Sequence, residues 1–185
     1  MKLNNLTIFT FSSSILQFAA GLIGPFYIIY VQKVAGGSIE NLGIAFGILG
    51  LCAALATYFA GKYSDKIGRK PLLIVAGYLD AILFLLYLFV KTPLQLYILQ
   101  AVVGITGSIS QVISRVLLAD ITRLKIRGAQ MGMYNLITGI FVSLALFIGG
   151  FLIAKLGFEI MFVIFSSLSI VSTTILFWIK EKVRK

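Results

Sequence analysis

Asp80 and Arg115 lie well inside long apolar stretches of this chain, where an ionised side chain is costly and needs a reason to be. Asp80 falls about ten residues into its stretch. Two readings are open for it: a hydrogen-bonded or protonated structural carboxyl, or an acid that carries a proton. On the structural reading, Asp80→Asn leaves any pH dependence of activity unchanged. Arg115 is near the end of its stretch, where its stem can reach toward the water interface. Other chemistry is absent. The chain has no histidine and no cluster with metal-ligand spacing, so histidine catalysis and zinc sites are excluded. The serines have no base beside them, which argues against an enzyme. Cys52 is alone, so there is no disulfide framework. Neither cofactor nor metal is expected.

Uncharged polar residues add a pattern. At about 100° per residue, Gln100, Gly104, Gly107, Ser108, Gln111 and Arg115 share one helix face roughly 100° wide. Val102, Val103, Ile105, Val112, Ile113 and Leu117 fill most of the rest. A weaker stripe, Ser14, Gln17, Gly21 and Gly24, runs along the first apolar stretch, where Gly24-Pro25 permits a kink. Such stripes either line a solute path or make polar contacts between helices. Gly43, Gly47, Gly50 and Ala54 form a small-residue face suited to close helix contact. Ser166 to Thr174 are expected to bond their own backbone.

The elements that position these groups are transmembrane helices. Hydrophobic residues make up 59% of the chain and charged residues 12%, too apolar for a soluble core of this length. A crossing takes roughly 20 apolar residues. Six runs qualify, over 6–31, 42–60, 71–90, 94–119, 131–154 and 158–179. They are too long and continuous for barrel strands. The first is too long for a cleaved signal and is read as a retained helix. With the N-terminus inside, the inner segments carry Lys2, Lys62, Lys66, Arg69, Lys70, Arg123, Lys125, Arg127, Lys180, Lys182, Arg184 and Lys185. The outer segments carry Lys33, Lys91 and Lys155. Twelve against three predicts both termini in the cytoplasm, and the expected location is the plasma (inner) membrane. The net charge of +10 then reflects topology and attraction to anionic lipid, and no nucleic-acid partner is implied.

Between the second and third runs the chain reads Gly61-Lys62-Tyr63-Ser64-Asp65-Lys66-Ile67-Gly68-Arg69-Lys70. Gly61 and Gly68 suit tight turns at the membrane surface, and Asp65 suits a helix cap. By itself the loop reads equally well as a fixer of topology. It resembles the signature loop of the major facilitator superfamily, and at the position where that family has it. Leu118-Ala119-Asp120 followed by Arg127-Gly128 is similar to the family pattern after helix four. Gly157-Phe158-Glu159-Ile160-Met161-Phe162 resembles the segment that opens helix six, with Glu159 in place of an Arg. Two departures argue against proton-coupled antiport. Gln100 stands where the family often has Arg, and Ala145-Leu146-Phe147-Ile148-Gly149-Gly150 keeps only two glycines of the family's helix-five motif.

The resemblance implies an all-α bundle of six transmembrane helices, arranged as two inverted three-helix repeats and equal to half of a twelve-helix transporter. Residues 1–185 then form a single domain. Helices one and four are expected to line a central cavity, making Gln17, Gln100, Gln111 and Arg115 candidate solute contacts suited to a polar or anionic solute. Gly61, Asp65, Gly68, Arg69, Lys70 and Asp120 are the gating candidates. Asp120 is about 140° around its helix from Arg115, so the resemblance's pairing of Asp120 with Arg69 fits. Asp65 would reach the other half. The third helix is peripheral in the resembled fold, which favours the structural reading of Asp80 over a coupling acid. The expected function is secondary transport of a small solute by alternating access, with a second copy or a separately encoded half as partner. The alternative is a non-transporting membrane protein that binds or regulates a partner, or a truncated half-transporter.

Overall fold

A computed structural model describes residues 4–180, and all regular structure among them is helical. Lys2, Lys182, Arg184 and Lys185 of the basic set lie outside the described residues, as does the side chain of Asp65. The helices are α1 (Asn5–Ile23), α2 (Tyr27–Val34), α3 (Ile39–Ile67), α4 (Arg69–Leu86), α5 (Pro93–Ile121) and α6 (Arg127–Ile175). Five stretches among the described residues are long and apolar enough to cross a membrane: Asn5–Val34, Ile39–Ser64, Arg69–Phe89, Pro93–Ile121 and Leu124–Trp178.

Local chemistry explains the breaks. α1 stops at Gly24, whose φ of 21° and ψ of −120° leave the helical region, and Pro25 follows at the start of a short 3-10 turn. Proline has no N–H to donate and disfavours helical geometry in the residue before it. α3 starts on Ser38, whose hydroxyl accepts from Asn41 N–H at 3.4 Å. α5 starts on a capping box of Thr92 and Gln95, with Pro93 in the first turn.

The stretch 61–70 is not the loop read from its sequence. α3 runs through Gly61 to Ile67, and the chain turns at Gly68 alone, with φ 97° and ψ 153°. Polar, basic residues at a membrane surface lose nothing by continuing a helix, so composition misplaced that boundary. Gly61 is therefore a helical residue and makes no turn.

The last stretch, Leu124–Trp178, has 55 residues, which as one rod would measure about 80 Å, far beyond a bilayer core of about 30 Å. It breaks at Gly157, with φ 77° and ψ 173°. The chain folds back there. Tyr134 stacks on Phe9 and Ser172 bonds Ser12, both near the start of α1. Phe158 and Phe162 instead meet Tyr30, at the far end of the same stretch.

α1 packs chiefly on α6, α3 on α5, and α4 against both α5 and α6. Backbones approach closely where glycine permits. A Cβ on Gly104 would strike the Leu49 carbonyl, and one on Gly149 the Leu22 carbonyl. The glycines kept at 149 and 150 are thus packing positions, Gly150 lying against the Phe26 ring. The Ser/Thr set near the end of α6 does more than bond its own helix. Ser167 and Thr174 do so, to Val163 O and Ile170 O. Ser12 and Ser172, however, each donate to the other's carbonyl at 2.8 Å, and Ser169 donates to Gly77 O at 3.2 Å. These hydroxyls face neighbouring helices at close range, and in lipid such bonds have no water to compete with them.

Candidate functional site

α1 and α5 touch little, and the gap between them is a cavity of about 630 Å³. α1 supplies Gln17, and Tyr27 lies at the start of α2. α5 supplies Gly107, Ser110, Gln111, Ser114 and Arg115. α6 supplies Tyr134, Asn135 and Phe165. Gln17, Gln111, Arg115 and Asn135 are exposed on this wall. A second groove of about 450 Å³, between α1 and α6, has no charged lining residue. The first cavity is therefore the one able to select a charged or strongly polar solute.

α4 reaches the same cavity through Asp80 and Phe84. Asp80 thus lines the cavity even though it stands on the helix expected to be peripheral. Because α1 and α5 leave a gap, a side chain from the helix behind them is seen from the cavity. The Ser110 hydroxyl donates to Asp80 Oδ2 at 3.1 Å, so the carboxylate is both hydrogen-bonded and cavity-lining.

Gln100 is corrected in the opposite sense. It is 0% exposed and sits one layer behind the cavity wall. Its Oε1 forms a triangle with the Tyr27 hydroxyl at 3.1 Å and the Tyr87 hydroxyl at 3.3 Å, and these two hydroxyls also bond each other. Tyr30 donates to Tyr87 O at 2.6 Å and packs edge-on against the Tyr87 ring. The Gln100 Nε2 finds no hydrogen-bond partner among the described residues. The α5 stripe is thereby split. Gln100, Gly104 and Ser108 are buried, while Gly107, Gln111 and Arg115 face the cavity. Ser110 and Ser114 were missed from the sequence. They extend the stripe by one step past its Gly107–Gln111 edge, which was the signal available for them. Tyr27, Phe84 and Asn135 come from three other helices and left no shared pattern.

The gating candidates gather at one end of the bundle. Arg69 Nε lies 2.7 Å from Asp120 Oδ2, joining the start of α4 to the end of α5. The Lys70 ammonium donates to Phe177 O and Ile179 O, both at 2.8 Å, which satisfies carbonyls at the end of the last helix. Asn5 Nδ2 donates to Lys180 O at 2.7 Å, and Lys180 N–H returns a bond to Asn5 Oδ1 at 3.1 Å. Arg127 donates to Ala119 O at 2.8 Å across the turn after α5. Gly68 makes the turn that sets Arg69 in place.

A helical bundle of membrane-crossing length, with a cavity that carries several polar side chains between its helices and an ion-paired turn at one end, is the build of a multi-pass membrane protein. Residues 9–185 match the family described as the Major Facilitator Superfamily. The chain belongs to that superfamily, whose members are transporters and not enzymes. It is 33% identical over 135 residues to "Uncharacterized MFS-type transporter YitZ" of Bacillus subtilis, which covers 73% of this chain and 82% of that protein. It is 34% identical over 116 residues to "Multidrug resistance protein MdtG" of Yersinia enterocolitica, covering 60% of this chain and 28% of the relative. For the protein of the same name from Klebsiella pneumoniae the match is 35% over 97 residues, 50% of this chain and 23% of the relative. The chain thus spans about a quarter of the length of the MdtG relatives and most of that of the YitZ protein.

Proposed function

We propose that residues 1–185 form one six-helix unit of a facilitator-type secondary transporter, which moves a small solute by alternating access once joined to a second such unit. The observation that carries this reading is the cavity, with Gln17, Gln111 and Arg115 exposed along a wall that has no facing half. A path of this kind needs two halves related by an axis along the membrane normal. The partner is a second copy or a separately encoded half. An uncovered contact face supports this. Gly43, Gly47, Gly50 and Ala54 are exposed on α3, and nothing lies within 4 Å of a Cβ at those glycines.

Six crossings follow from dividing Leu124–Trp178 at Gly157. Two inverted repeats are supported by matching close contacts. Gly21 on α1 abuts Val142 O on α6, and Gly104 on α5 abuts Leu49 O on α3, so the first helix of each triplet meets the second of the other. On this reading both termini are cytoplasmic, which the clustering of Arg69, Lys70, Arg127 and Lys180 at one end supports. In this scheme the Arg69–Asp120 pair latches that end in the outward-facing state.

The test is uptake by proteoliposomes, with the number of chains per particle measured in lipid. The relatives named for multidrug resistance make foreign small molecules the first panel. Two six-helix units per particle and uptake above protein-free vesicles are expected. A strictly monomeric chain with no flux sinks the reading. Within the cavity, Gln17→Leu is expected to weaken solute binding about 2- to 13-fold, the loss of one hydrogen bond of about 0.5–1.5 kcal/mol. Gln100→Leu is expected to leave binding within about two-fold, because Gln100 is behind the wall. Equal losses at both positions would put Gln100 in contact with the solute.

A further inference from the structure

We infer that the solute carries two opposite charges at opposite ends, a cationic amine held at Asp80 and an anionic group held at Arg115. The inference rests on the transport reading above and names its substrate class. The two ionisable side chains line one cavity from different helices, Asp80 on α4 and Arg115 on α5. Among the described residues neither forms an ion pair; Asp80 is held by the hydroxyls of Ser110 and Thr106, both on α5. The bond to Ser110 sets Asp80 level with that residue. Arg115 is five residues further along α5 than Ser110, about 7.5 Å of helix axis, and no ion pair joins it to Asp80 among the described residues.

With Asp80 ionised, the two opposite charges lining one cavity each lack a counter-ion among the described residues, and a solute with both charges supplies both at once. A solute of one sign would leave the other protein charge uncompensated, so the cavity discriminates against it. Gln111 lies between the two levels, offering an amide to polar atoms in the middle of the solute. Phe84 is one turn from Asp80 on α4, and Phe165 lies 3.8 Å from its ring centroid in a stacked pair, so an apolar wall flanks the cationic end. Aromatic faces favour ammonium groups. The exposed amide and guanidinium by themselves pointed to a polar or anionic solute; the carboxylate brought in from α4 changes that to a dipolar one.

The test uses the whole chain in lipid nanodiscs and three matched probes. 4-(Aminomethyl)benzoate carries both charges across one ring, benzylamine carries only the cation, and 4-methylbenzoate only the anion. Affinity is read by titration calorimetry. The doubly charged probe is expected to bind at least about ten-fold tighter than either other. Asp80→Asn is expected to remove its advantage over 4-methylbenzoate, and Arg115→Gln its advantage over benzylamine. Equal affinities for the three probes in the unaltered chain overturn the inference, and that comparison needs no variant to fold. Preference for a singly charged probe, or no binding of any, overturns it too. Uptake of some other solute by proteoliposomes would still stand in those cases, so failure here is distinct from failure of the transport reading.

Discussion

Asp120→Arg is expected to cut solute flux about 5- to 30-fold, and adding Arg69→Asp to recover most of it. The reason is the 2.7 Å contact between Arg69 Nε and Asp120 Oδ2, which ties the start of α4 to the end of α5. The pair is partly exposed, with side chains 20% and 39% accessible, so by itself it contributes at most about 1 kcal/mol. Reversal does more than delete it. Two guanidinium groups at the same contact repel, and the attraction lost and the repulsion gained act together on one conformation. A shift of about 1–2 kcal/mol between two states changes their ratio about 5- to 30-fold. Alternating access depends on both states being populated, so flux falls whichever state the pair stabilises. Exchanging both residues restores opposite charges at the same separation. Flux in proteoliposomes for the four combinations decides the matter. A double variant no better than Asp120→Arg would mean that the contact has no part in switching. The effect of reversal should also shrink at high salt, since a partly exposed pair is screened.

The second large effect is structural. Gly104→Val is expected to lower the thermal transition in detergent steeply, by the equivalent of about 1–3 kcal/mol or more, while Gly107→Val has little effect on it. The two glycines are three residues apart on α5, and sequence treats them alike. A Cβ at 104 would collide with the carbonyl oxygen of Leu49, with the Leu49 carbonyl carbon and Cα each at 3.2 Å. That is backbone and cannot swing aside, so α3 would have to retreat from α5. Nothing lies within 4 Å of a Cβ at 107, which faces the cavity. Gly107→Val should instead be felt in binding, through the volume it takes from the cavity. Trp178 fluorescence follows unfolding for both. Equal shifts in the transition would show that α3 and α5 do not meet through Gly104.

Much of this protein is legible without coordinates. The apolar runs are long, the only regular structure that satisfies its backbone inside lipid without an edge-free barrel is a helix, and lysine and arginine cluster beside alternate runs. Gly24-Pro25 announces its kink because proline's missing N–H acts on the chain itself. Gly157 and Gly68 sit where the backbone takes positive φ, a local demand that names its residue. Arg69 and Asp120 come from a motif whose two parts lie far apart in sequence.

What sequence alone could not decide is which neighbour each polar side chain meets. Helical periodicity placed Gln100 and Arg115 on one face, yet a face roughly 100° wide spans more than one neighbour. The tertiary structure turned Gln100 into a buried partner of Tyr27 and Tyr87 and left Arg115 in the cavity. It brought Asp80 to that cavity because two other helices, α1 and α5, fail to close on each other, a property of neither α4 nor its sequence. That the chain is built of membrane-crossing helices depends on each segment's own free energy in lipid and was legible one segment at a time, though the end of α3 was not. The site depends on gaps between segments, and those exist only once all of them are packed.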